Sequence, residues 1–99
     1  MTADDVKAFL TCYYNIHDPT EGIPATEAVS ACVTDMRRII CEHCGKTPPL
    51  SWRQWQILAL VFCLHFSQEV IAMDYIGSHV STVHRDFRDA LESIAKRWN

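Results

Sequence analysis

The chain has 99 residues with a formal net charge of −3, 48% hydrophobic and 21% charged residues. That length predicts one domain with a small core, and the composition excludes disordered and collagen-like classes. The longest apolar run, Ile57 to Leu64, is too short for a bilayer crossing, and no basic-plus-apolar leader opens the sequence, so the expected location is cytoplasmic.

Three glycines and four prolines fall at the joints between helical patterns, which predicts an all-α fold of about five helices. Thr2 stands as an N-cap with Asp4 and Asp5 in the first turn, where negative charge suits the helix dipole. Val6, Phe9, Leu10 and Tyr13 follow at helical spacing, and the stretch Pro19 to Pro24 ends this helix. A second helix is expected from about Thr26 to Cys44, with Val29, Val33, Met36, Ile39 and Ile40 inward and Gly45 as its stop.

The clearest joint is "KTPPL", because a residue before proline is pushed out of helical conformation. Ser51 with Gln54 three residues on is a capping box for a third helix running through "WRQWQILALVFCLH", with Trp55, Leu58, Val61 and Phe62 inward. A short fourth helix starts at Ser67 and ends at Ile76-Gly77. The fifth is expected from near Ser78 to about Arg97, with Val80, Val83, Phe87, Leu91 and Ile94 on its buried face.

Helix, short helix, glycine turn, longer helix is the order of a helix-turn-helix, whose second helix enters the major groove. From Leu50 the residues Leu50-Ser51, Arg53-Gln54, Ile57-Leu58 with Leu60, Ser67-Gln68-Glu69 with Ile71-Ala72, Gly77 and Thr82-Val83 resemble sigma-factor region 4 and LuxR-type output domains. Phe87, Ala90, Leu91 and Ile94 continue the same apolar spacing. The resemblance covers about 48 of the 99 residues, positions 50–97, and carries one departure: four residues separate Ala72 from Gly77 where those families have three. The extra residue is expected either to rotate one helix against the other or to be absorbed by a looser turn.

The resemblance implies a sequence-specific transcriptional regulator that binds double-stranded DNA through Ser78, His79, Ser81, Thr82, Arg85 and Arg88, with Arg53 on a phosphate. Arg85 is the residue suited to a bidentate contact with guanine. Residues 50–99 hold five Lys/Arg against five Asp/Glu, so phosphate neutralisation is weak for one copy, and a homodimer is expected. Residues 1–46 offer the dimerisation or partner-binding element. The small size suits a phage or plasmid regulator.

Two other readings compete. Cys41 and Cys44 in "CEHCGK" with His79 and His84 make up a Cys2His2 zinc set, although the 34 residues between the pairs far exceed the roughly 12 of a zinc finger. The histidines stand five apart, on different helix faces, and lean toward a recognition surface instead. The other rival is a small acidic adaptor or inhibitor that docks on a nucleic-acid-handling protein complex, supported by the seven Asp/Glu of residues 1–49 and by Trp52 if that side chain is exposed. No nucleophile-base pair or phosphate loop stands out, and an enzyme is not expected.

Overall fold

The computed structural model describes all residues, 1–99, and is all-helical. Helix α1 spans Ala3–Ile16, α2 Ala28–Cys44, α3 Trp52–Phe62, α4 Gln68–Val70 and α5 Val80–Arg97. A single 3-10 turn, Ala25–Glu27, leads into α2. No helix is long and apolar enough to cross a membrane.

The start signals act as the residue types predict. Thr2 and Asp5 close a capping box at α1, and Ser51 and Gln54 close another at α3. The backbone N–H of Thr2 holds the Asp5 carboxyl below the usual carboxylate range. At α4 the Ser67 hydroxyl accepts from the Val70 N–H. Gly45 closes α2 at φ 77°, a left-handed conformation that L side chains adopt at a cost.

Two local departures arise where the chain turns. Helix α3 stops at Phe62 rather than continuing to His65, because His65 itself takes the left-handed position at φ 60°. The Phe66 N–H then bonds back to the Leu60 carbonyl at 3.0 Å, closing the helix as a glycine would. Beyond α4 the backbone widens into a π-helical turn, Ile71–Ile76. Such a turn holds one more residue than an α turn, and the four residues between Ala72 and Gly77 lie in it. Gly77, at φ 68°, caps it, and the Ser78 N–H bonds to the Ala72 carbonyl at 2.9 Å.

One cluster of 23 buried hydrophobic residues runs through the molecule and contains no charged or polar side chain. Leu10, Met36, Ile40, Ile57, Leu58, Leu60, Ile71 and Ile94 are fully enclosed. Each such aliphatic side chain contributes about 1.5–3 kcal/mol by leaving water. Helix α1 packs on α5, α2 on α3, and α3 on α5. Of the expected inward positions, Phe9, Tyr13, Val29, Val61 and Val80 are only half-buried, while Tyr14 and Ile57 are buried instead. In a bundle this small, α3 is covered on more than one face.

Helix α5 is the spine that joins the halves. Its first turns lie against α3, α4 and the wide turn, and its remainder lies against α1 and α2. At its far end Trp98 stacks on His43 at 4.4 Å, Phe9 meets both rings edge-on, and the Asn99 N–H bonds to the His43 carbonyl.

Candidate nucleic-acid interface

Helix α5 starts at Val80, with His79 as N-cap and no side-chain hydrogen bond to that end. The N-terminal ends of α3 and α5 carry no acidic residue in their first turns. By contrast α1 begins with Asp4 and Asp5.

Val83, Phe87, Ala90, Leu91 and Ile94 anchor the inner face of α5 in the core. The same periodicity turns His79, Ser81, His84, Arg85 and Arg88 to solvent, with Ser78 and Thr82 half-buried at the edge. Ser81, Arg85 and Arg88 therefore share the open side of the first three turns of α5, with Thr82 at its edge and Ser78 and His79 just before its first turn. Arg85 has no carboxylate within ion-pairing distance. Arg88 lies 3.6 Å from Asp89 and 3.9 Å from Glu92, pairs at an exposed surface that are worth little.

Arg53 is not a free cation. Its Nε lies 2.6 Å from the Asp86 Oδ2, and Gln54 donates to the Asp86 backbone carbonyl at 3.5 Å. The first turn of α3 is thus tied to α5 one residue after Arg85. Nothing in the residue spacing announces this pair, since 32 positions separate Gln54 from Asp86.

The four candidate zinc ligands are not brought together. The Cys44 thiol contacts the Ile94 carbonyl, while His79 and His84 stand at the opposite end of α5. Fifteen residues of helix between positions 79 and 94 make about 22 Å at 1.5 Å per residue. No cluster of three or more His, Cys, Asp or Glu side chains forms elsewhere. Burial pushes the Cys44 thiol up, away from thiolate character.

Two features escaped the sequence reading. A shallow groove of about 510 Å³ lies between the 19–27 connection and the outer face of α2, lined by Pro19, Ile23, Glu27, Ser30, Thr34 and Asp35 among others. Beside it, Tyr14 donates to Asp35 at 2.8 Å, and Arg38 donates to Asp35, Glu42 and the Tyr13 hydroxyl. Trp52 is 56% exposed at the start of α3 and so is not core.

Comparison with protein-family models, characterised proteins and solved structures finds no match to this chain.

Proposed function

We propose that the protein is a cytoplasmic, sequence-specific DNA-binding transcriptional regulator of the phage or plasmid kind, with α5 as the recognition helix of a helix-turn-helix. The observation that carries this reading is Arg85, exposed and unpaired on the open side of α5. A guanidinium there can reach guanine O6 and N7 in the major groove. Ser81 and Thr82 serve base edges or phosphates beside it, and His79 serves the backbone at the helix end. A wide turn at Ile71–Ile76, which holds one residue more than an α turn, supports the reading in which the four residues between Ala72 and Gly77 are taken up by a looser turn.

The regulator acts as a homodimer, since a half-domain with balanced charge grips the backbone weakly alone. Ile16, 81% exposed at the end of α1, and the partly exposed Ile23 supply apolar surface for that contact within residues 1–46.

Selection of bound fragments from random duplex DNA at near-physiological salt tests the reading. Enrichment of a short palindromic site is the expected result. Arg85→Ala should then weaken that site by about 1–3 kcal/mol and relax its base preference, with the melting temperature unchanged. No enrichment from folded protein would overturn it.

One observation favours a second reading, an adaptor or inhibitor of a nucleic-acid-handling complex. Trp52 is an exposed aromatic beside Pro49 and the half-buried Leu50, the kind of side chain that anchors protein contacts. In that case Trp52→Ala, not Arg85→Ala, abolishes partner binding.

A further inference from the structure

Asp86 is out of place on a helix that faces DNA. A carboxylate one position from Arg85 should repel phosphate and lower affinity. Its surroundings say otherwise, because its side chain is only 14% exposed and lies against Arg53, whose own side chain is 48% exposed. A carboxylate so far removed from water needs a partner, and Arg53 is the cation it has.

The guanidinium has five N–H groups in a planar fork. The Asp86 Oδ2 lies 2.6 Å from its Nε as an ion pair but accepts no hydrogen bond from it, and Arg53 makes no other ion pair within the chain. The terminal amino groups remain for a second acceptor. The turn that carries Arg53 is held by the Ser51–Gln54 capping box and the Gln54 contact to the Asp86 carbonyl, and the Asp86 carboxylate lies beside the guanidinium as its counter-charge. Arg38 differs, because its two terminal nitrogens are already shared among Asp35, Glu42 and Tyr13.

Resting on the DNA-binding reading above, we infer that Arg53 and Asp86 form a buttressed seat for a backbone phosphodiester of duplex DNA, with Asp86 as its positioning residue. Asp86 keeps the guanidinium in place by charge, and the fork's open edge takes the phosphate oxygens. A planar fork fixed in advance binds phosphate better than a free one, since less side-chain entropy is lost on contact.

The consequence runs against simple electrostatics. Removing the negative charge of Asp86 should weaken DNA binding while Arg53 is present, and strengthen it once Arg53 is gone. The test is anisotropy with a labelled mixed-sequence duplex of about 30 base pairs over a salt series, which reads backbone contacts whatever the target site. Arg53→Ala is expected to weaken binding about 10-fold and to reduce the salt slope by about 0.9, one phosphate. Asp86→Asn is expected to weaken binding about 3-fold in the native chain and to strengthen it about 3-fold in the Arg53→Ala background.

Strengthening by Asp86→Asn in both backgrounds would mean that Asp86 only repels, and would overturn the inference. An Arg53→Ala variant with native affinity and slope would overturn it too. In either case weakening by Arg85→Ala leaves the DNA-binding reading standing. A folded native chain that binds no duplex overturns both. If Asp86→Asn does not melt cooperatively, Arg53→Lys replaces it: an ammonium held by Asp86 has no second edge, so affinity should fall at least 3-fold, and native affinity would sink the seat.

Discussion

The two halves of the molecule contribute to one core but place their paired charges differently. In residues 1–49 one polar network stands out, in which Asp35, Glu42 and Tyr13 surround Arg38 and Tyr14 donates to Asp35, while Lys7, Arg37 and Lys46 are exposed without an ion pair. In residues 50–99 the open face of α5 leaves Arg85 unpaired, and Arg53 offers one edge to Asp86 while the rest stays exposed. Internally satisfied charge holds helices in register, whereas unsatisfied cationic charge is available to a partner. What sets Arg85 and Arg53 apart from the unpaired cations of the first half is their place on the candidate face, α5 and the first turn of α3 that is tied to it.

Packing tests the comparison most strongly. Ala72 is buried in the wide turn, where the backbone comes close to α5. Ala72→Leu should therefore lower stability by about 1–3 kcal/mol by overpacking. Ala31→Leu, at the lip of the open groove on α2, should stay within about 0.5 kcal/mol. Urea denaturation of both variants measures the difference, and equal losses would mean that the groove is not open in solution.

The two capping boxes separate structural from functional roles. Thr2→Ala and Ser51→Ala should each cost about 1 kcal/mol of stability. Only Ser51→Ala should also weaken DNA binding, because it loosens the turn that carries Arg53. Melting and anisotropy on the same samples would show whether the halves divide in this way.

Ionisable groups buried where α1, α2 and α3 meet give the next effect. Burial is the main cause pushing up Tyr14, Cys32 and Cys63, with Cys63 and Asp35 adding to Tyr14. A raised folded-state value means that the unfolded chain loses its proton first as pH rises. Stability is then full below about pH 8.5, where an unfolded thiol begins to ionise, and falls above it. Melting temperatures across alkaline pH should follow that direction. With a thiol reagent near neutral pH, exposed Cys12 should react at once, and Cys32, Cys44 and Cys63 only on unfolding.

The smallest effect is expected at the hinge between α3 and α4. His65→Gly relieves a left-handed conformation that costs a non-glycine residue about 1–2 kcal/mol, and loses part of that to the greater freedom of unfolded glycine. A net gain of up to about 1 kcal/mol in urea denaturation is the expected outcome.

Much of the fold was legible in the chain because it depends on near neighbours. A Ser or Thr cap with its partner three residues on acts within one turn, as at Thr2, Ser51 and Ser67. The three-and-four spacing of Val83, Phe87, Ala90, Leu91 and Ile94 by itself determines which side of α5 is buried, and hence that Arg85 faces out. A glycine after an apolar run is a stop whatever lies around it, as Gly45 and Gly77 are.

What tertiary structure alone decided depends on groups far apart in sequence. Helix α3 ends at Phe62, ahead of His65 in a glycine's left-handed conformation, and the chain before Gly77 takes a π turn. The bundle separates Cys44, beside Ile94, from His79 and His84 by ten or more residues of α5, so their shared chemistry never meets in one place. It also brings Arg53 to Asp86, making a lone cation and an unwelcome carboxylate into one element. Helical periodicity says which side of a helix is wet, but only the crossing of two helices says which charges on that side find each other.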